Sequence, residues 1–220
     1  MITAILFDLD GLMVDSEPHA LATWSWVLAR RGVQLDQATA DATLGLRLDE
    51  TARLLIERFS LSDDPVALGA EKSVLQIERL DGNVRPLPGL FELIAALDAR
   101  GVKRAIASSG VRRYVEAVLE SIGLRERFET IVTGDEVANG KPAPDVFLLA
   151  AERLSVAPPA CLVLEDAPNG VAAAKAAGMR CVAVPNVFTR SLDLSAADHI
   201  LPSLLAVRAA LDDLLNQPTN

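Results

Sequence analysis

The chain has 220 residues, half of them hydrophobic and 4% aromatic, which is enough to bury a real core in one main domain with a modest insertion. No apolar run approaches the roughly 18–20 residues of a membrane span. With 21 basic and 30 acidic residues the net charge is −9, a surface that repels nucleic acid and anionic membranes.

Met1 leads straight into strand-like residues, with no basic segment and no cleavable apolar region, so a signal peptide is not expected. Cys161 and Cys181 sit in apolar, strand-like stretches without His or Cys neighbours at zinc-ligand spacing. They read as core thiols of a reducing cytoplasm, not as a disulfide framework.

The first element is the apolar run of Ile2, Ala4, Ile5, Leu6 and Phe7, which stops at Asp8-Leu9-Asp10-Gly11. Strand side chains alternate faces, so Asp8 and Asp10 can point the same way from one strand tip. Two carboxylates held together repel unless a cation lies between them, and hard divalent ions such as Mg²⁺ prefer that oxygen environment. An EF-hand loop is excluded, because Leu12 and Val14 fill the later acidic ligand positions.

From Glu17 to about Leu80 the pattern is helical throughout. Trp24, Val27 and Leu28 recur at helical spacing, then Leu54, Leu55 and Phe59, then Val74, Leu75 and Ile77. Trp24 and Trp26 cannot share one helix face, so at least one belongs to the core of this segment. Gly32, Gly45 and Asp63-Asp64-Pro65 punctuate it, and a further cluster runs from Asp81-Gly82-Asn83 to Pro86-Leu87-Pro88-Gly89. Hinges near Asp15–Pro18 and Asp81–Pro88 make residues 16–83 an inserted all-helical unit, with residues 1–15 and 84–220 forming the main domain.

From Leu90 onward helices and strands alternate. Helices Leu90–Ala99, Arg113–Ile122, Asp145–Leu154 and Val171–Ala177 each precede a strand, at Lys103–Ala107, Thr130–Thr133, Ala160–Leu164 and Arg180–Val184. A short strand at His199–Leu201 and a helix at Ser203–Leu215 complete the pattern, and the Gln217–Asn220 tail reads as frayed. Such alternation implies an α/β fold with a parallel sheet flanked by helices, and these sheets bind ligands at the carboxyl ends of their strands.

Those ends carry the chemistry. The first strand ends in Asp8 and Asp10, and the Lys103–Ala107 strand in Ser108-Ser109-Gly110. The third leads into Gly134-Asp135 and Gly140-Lys141-Pro142, and the fourth ends in Glu165-Asp166. Each motif alone has a plain structural reading. The first could be a strand-to-turn signal and the serines an N-cap of the following helix. The lysine and the last acids could be solvated loops. Their placement at successive strand ends argues instead for one shared site. Lys141 is one of four lysines, beside Lys72, Lys103 and Lys175.

In that order the four motifs resemble the signatures of the haloacid dehalogenase superfamily, in its helical-cap phosphatase and β-phosphoglucomutase branch; the segment from Phe7 to Pro18 is especially similar. The likeness spans nearly the whole chain and is nearest to phosphatases of 2-deoxyglucose 6-phosphate and hexitol phosphates. It implies a Rossmann-like parallel-sheet core with helices on both faces, plus an inserted helical cap. It also implies an enzyme of small phosphorylated metabolites; the charge argues against a nucleic-acid or membrane partner, the thiols for the cytoplasm, and a monomer is the default expectation.

By resemblance Asp8 attacks phosphorus and becomes an aspartyl phosphate, while Asp10 protonates the leaving alcohol and then activates water. Asp8, Asp166 and the main-chain carbonyl of Asp10 hold Mg²⁺, with Glu165 a direct or indirect helper. Ser108 and main-chain N–H groups near Ser109 bind the phosphoryl oxygens, Lys141 neutralises charge, and the Lys141-Pro142 peptide is cis. The segment Thr43–Glu50 resembles a cap specificity loop. Within it Arg47 is the substrate candidate, against the plain reading of a surface arginine. Glu17 and His19 lie past the first hinge; Glu17 is a substrate candidate, and a structural role is favoured for His19. His199 is assigned to the fold.

Two other functions stay open. A phosphomutase of the same branch carries a Ser–Lys pair after the leading serine and an arginine in the cap loop where this chain has Leu48. This chain has Gly110-Val111 at the pair's position, which favours hydrolysis. A catalytically silent phosphate-binding protein is opposed by the intact acids and lysine.

Overall fold

A computed structural model describes residues 1–43, 46, 48–80 and 82–216. The cap-loop candidate Arg47 and the Gln217–Asn220 tail therefore lie outside the described residues. The chain forms two compact units, Met1–Asp15 together with Arg85–Asn220, and Ser16–Val84.

In chain order, β1 (Ala4–Phe7) and β2 (Val14–Asp15) are followed by α1 (Glu17–Ala29), α2 (Gln37–Thr43), α3 (Leu48–Phe59) and α4 (Pro65–Glu78). Next come β3 (Arg85–Pro86), α5 (Leu90–Asp98), β4 (Lys103–Ala107), α6 (Arg112–Ser121) and β5 (Thr130–Val132). Then follow α7 (Asp145–Leu154), β6 (Cys161–Glu165), α8 (Pro168–Ala176), β7 (Arg180–Ala183), β8 (His199–Ile200), α9 (Leu204–Ala209) and α10 (Leu211–Asn216).

The first unit is built on a parallel sheet of order β5-β4-β1-β6-β7-β8, as expected of an α/β fold. Every residue of β1 is fully buried, which is why it reads as a continuous apolar run and not as an alternating one. Phe7 pairs with Ile106 of β4 on one side and with Leu164 of β6 on the other. The chain fills the sheet from β1 through β4 to β5, then returns to the opposite side of β1 with β6. The strand order thus reverses at β1, and in open α/β sheets that reversal is where ligands bind. One face is closed by a cluster that includes Leu6, Phe147, Ala150, Val163 and Ala174.

A second, two-stranded sheet pairs β2 with β3 antiparallel, Val14 with Pro86 and Asp15 with Arg85. It joins the points where the chain leaves and re-enters the first unit. Residues this short and proline-bearing gave no strand signal.

The second unit packs Trp24, Val27, Leu28, Leu55, Leu68 and Leu75 into its own core. The Asp64 side chain caps α4 by accepting from the Val66 and Ala67 N–H groups. Of the two tryptophans, Trp24 is buried, while Trp26 is only partly buried and lies edge-on to His19 under the Arg79 guanidinium. His19 is buried with its Nε2 2.7 Å from the Gln76 carbonyl, an internal packing role.

Two expectations need correction. The serines after β4 do not cap the next helix: the N-cap of α6 is Val111, and the Arg112 N–H donates instead to Asp135, 3.1 Å away. The last helix is not continuous, but breaks at Ala210 into α9 and α10. Carbonyls of α10 are claimed from outside the helix, that of Leu215 by the Ile2 N–H at 3.0 Å and that of Leu214 by Arg180 at 2.9 Å. Ala210 is itself a good helix former, so no breaker residue marks the break in the sequence. Among the described residues no helix is long and apolar enough to cross a membrane.

Candidate active site

Four of the expected residues meet where the sheet order reverses. Asp8 follows β1 directly, with its N–H bonded to the Leu164 carbonyl of β6 at 3.0 Å. Ser108 follows β4 in the same way, bonded to the Val132 carbonyl of β5 at 3.1 Å. Glu165 ends β6, and Asp166 comes next. Asp8, Ser108, Glu165 and Asp166 are all buried, so charges here are poorly screened and need partners.

Lys141 supplies one. Its Nζ lies 2.5 Å from Asp8 Oδ1 and 2.7 Å from Glu165 Oε1, and 4.8 Å from the centre of the Phe147 ring. It arrives on the loop before α7, where the Lys141-Pro142 peptide is cis. The other oxygen of Glu165 accepts the backbone N–H groups of Asp166 at 2.8 Å and Ala167 at 2.9 Å. Both Glu165 oxygens are therefore committed, which leaves the side chain little capacity to hold an ion. Space for this arrangement comes from Gly170: a Cβ there would fall 1.7 Å from Glu165 Oε1.

The turn after β1 is shaped by Gly11, at φ +81°, a backbone state that glycine adopts without cost. A Cβ at Gly11 would lie 2.5 Å from Asp166 Oδ2 and 2.7 Å from Asn186 Nδ2. Asp10 turns its side chain to Tyr114 of α6, whose hydroxyl donates to Oδ1 at 2.7 Å. Ser108 Oγ accepts the Gly110 N–H at 3.0 Å, and among the described residues no acceptor takes its own O–H proton. Ser109 follows it at the start of the same turn.

Sequence reasoning missed two participants. Tyr114 reads as a core position of an amphipathic helix, and it is indeed mostly buried; nothing in its spacing reveals the phenol–Asp10 bond. Asn186 follows β7 and donates to Asp166 Oδ2 at 2.8 Å and to the Gly11 carbonyl at 3.0 Å. The only hint was that β7 is another parallel strand whose carboxyl end reaches the same rim. Glu17 opens α1 in the second unit.

The electrostatics are lopsided. Asp8, Glu165 and Asp166 face a single lysine, with Asp10 close enough to add to the repulsion. Burial pushes Asp8 up to about 7 even though Lys141 pulls it down, and Glu165 adds to the rise. Burial pushes Asp166 up to about 9, with the charges of Glu165 and Asp8 adding to the rise. Burial pulls Lys141 down, but the Asp8 and Glu165 charges outweigh it and hold the ammonium well above its usual range. Buried negative charge in excess of positive charge, on oxygen donors alone, suits a hard divalent cation.

Among the described residues no three His, Cys, Asp or Glu side chains converge to hold a metal by themselves.

A sequence model of haloacid dehalogenase-like hydrolases matches residues 2–178, and the chain belongs to that family. The fructose-1-phosphate phosphatase YqaB of Escherichia coli is 38% identical over 180 residues, 82% of this chain and 95% of the relative. Hexitol phosphatase B of the same organism is 34% identical, covering 84% of each chain. Among solved structures, CbbY from Rhodobacter sphaeroides in complex with phosphate superposes with a TM-score of 0.84. It is 31% identical, over 94% of this chain and 96% of the other. The chain is an enzyme of the phosphatase kind.

Proposed function

We propose that the protein is a Mg²⁺-dependent phosphatase of small sugar or polyol phosphates that works through an aspartyl-phosphate on Asp8. The observation that carries this reading is the convergence of Asp8, Lys141, Glu165 and Asp166 where the strand order reverses. The names of the sugar-phosphate and hexitol phosphatase relatives support the substrate class.

An anionic carboxylate approaching an anionic phosphate ester meets like-charge repulsion. Lys141 lowers that repulsion from the nucleophile's side, while Glu165 holds the lysine in place. Ser108 donates its hydroxyl proton to a phosphoryl oxygen, joined by main-chain N–H groups around Leu9–Gly11 and Ser109. Asp10 gives its proton to the departing oxygen and later takes one from water, with Tyr114 fixing the carboxyl orientation. The residues suited to hold Mg²⁺ are Asp8 and Asp166 with the Asp10 carbonyl; the bound ion would draw charge from the phosphoryl oxygens and orient them. Glu165, expected as a possible ligand, serves the lysine instead in this reading.

The unit Ser16–Val84 is assigned the role of specificity cap, with Arg47 and Glu17 as its substrate contacts. Arg47→Ala is expected to change the ranking of substrates while leaving metal dependence intact. The buried, unpaired thiols Cys161 and Cys181 support a reducing, cytoplasmic setting, and a monomer is the working assembly.

The test is initial-rate phosphate release across a panel of sugar and polyol phosphates, with Mg²⁺ and with chelator. Asp8→Asn should abolish release and leave the fold intact. No release from any substrate by the Mg²⁺-loaded wild type would overturn the reading. Isomerised product without free phosphate would replace it with mutase chemistry.

A further inference from the structure

Asn186 lies beyond every motif that points to catalysis, yet its side chain ties together three stretches of the site. Its Oδ1 accepts the N–H groups of Phe188 at 2.8 Å and Thr189 at 3.2 Å. Its own N–H donates to Thr189 Oγ1 at 3.1 Å. Backbone donors on one side fix which end of the amide is oxygen, so the NH₂ group must face the other way. There it donates to Asp166 Oδ2 at 2.8 Å and to the Gly11 carbonyl at 3.0 Å. Gly11 has no side chain, and that is what admits both groups: an added Cβ would strike Asp166 Oδ2 and Asn186 Nδ2.

We infer that Asn186 is a positioning residue for the metal site, committing Asp166 Oδ2 to the protein so that Oδ1 is the oxygen presented to the cation. Among the described residues no hydrogen-bond donor reaches Oδ1. The inference rests on the Mg²⁺ reading above and adds to it an orienting group on a seventh-strand loop. A neutral amide suits the task. It fixes a carboxylate by donation without adding charge of its own, as outer groups around metal ligands commonly do. It also ties the ligand to the turn after β1, where Asp8 and the Asp10 carbonyl stand, so the proposed ligands move as one body.

Asn186→Ser separates this role from loop building. A serine hydroxyl can still accept the Phe188 and Thr189 N–H groups in an ST-turn, but it is too short to donate to Asp166. Mg²⁺ titrated calorimetrically into wild type and variant reads the cation affinity without turnover. The expected result is weakening of about 10- to 100-fold, a metal-free melting temperature close to wild type, and phosphate release restored at saturating Mg²⁺.

Thr189→Ala, which loosens the same loop and leaves the amide donors in place, should keep Mg²⁺ affinity within about twofold; Asn186→Ala serves if the serine variant fails to fold. Unchanged affinity in a folded Asn186 variant would overturn the inference. So would an equal loss in Thr189→Ala, or a turnover loss that saturating Mg²⁺ does not repair. A wild type that binds no Mg²⁺ would overturn both this inference and the reading beneath it, and is told apart by that measurement alone.

Discussion

Replacing Gly170 by alanine should cost far more than a methyl group on a helix ordinarily does. Helix propensity by itself favours alanine by about 1 kcal/mol. Here the added Cβ would lie 1.7 Å from Glu165 Oε1, 1.9 Å from its Cδ and 2.5 Å from Oε2, so the whole carboxylate must leave its place. Two buried N–H groups, of Asp166 and Ala167, then lose their acceptor, at roughly 1–3 kcal/mol for each donor left unmet. Lys141 loses one of its two carboxylates, and breaking a buried ion pair costs about 3–5 kcal/mol. Because Asp8 still holds the lysine, only part of that last figure applies, and the net loss should be about 3–5 kcal/mol, a large share of a typical folding free energy of about 5–15 kcal/mol.

Urea unfolding followed by circular dichroism would measure it, alongside phosphate release, which should fall with the displaced lysine. The decisive comparison is made in a Glu165→Ala background. The three atoms nearest the new Cβ all belong to the Glu165 carboxylate, so there Gly170→Ala should be neutral or slightly stabilising. The reasoning fails if Gly170→Ala alone lies within about 0.5 kcal/mol of wild type, the usual range of inconsequential surface changes, or if it costs as much without Glu165 as with it.

Tyr114→Phe removes the phenol proton shared with Asp10; a hydrogen bond to a charged group is worth about 1.5–3 kcal/mol, so kcat should fall about 10- to 150-fold with KM little changed in steady-state assays. Burial raises Glu136, but hydrogen bonds from Arg153, Arg112 and Thr133 outweigh it and hold the carboxyl at about 2. Folding is therefore favoured by the ionised form, and that contribution is complete above about pH 4.5 and lost as pH falls toward 2. Glu136→Gln should cost about 1 kcal/mol at pH 7, because solvent screens these exposed ion pairs, and progressively less below pH 4.5, as measured by urea unfolding across pH. Mg²⁺ at a hundredfold excess over its dissociation constant should stabilise the wild type by about 2.7 kcal/mol, and Asp166→Asn should erase most of that gain in thermal melts.

The strands of the six-stranded sheet and the helices between them were legible because a sheet buried on both faces writes continuous apolar runs, and those helices are strongly periodic. β4 and α7 carry the expected boundaries to the residue. The end of α9 was not legible, because the break falls at Ala210, an ordinary helix former with no glycine or proline beside it. In the site, residue types at strand ends were readable, but their division of labour was not. Glu165 reads as one more acid near a metal until Gly170, five positions on, is seen to make room for a carboxylate turned toward Lys141. Asn186 is an ordinary turn residue in sequence, and its amide gains meaning only when the stretches around Gly11, Asp166 and Phe188 fold against it.

The small ribbon of β2 and β3 makes departure and return of the polypeptide adjacent. Directly opposed residues in an antiparallel pair have Cα atoms about 4.5–5.5 Å apart, so everything from Ser16 to Val84 hangs from a gap that two or three residues could bridge. Insertions of other sizes can be grafted between Asp15 and Arg85 without moving the strand that carries Asp8. A polypeptide built on this plan can lengthen, shorten or replace the whole Ser16–Val84 segment while the strand that leads into Asp8 keeps its neighbours in the sheet.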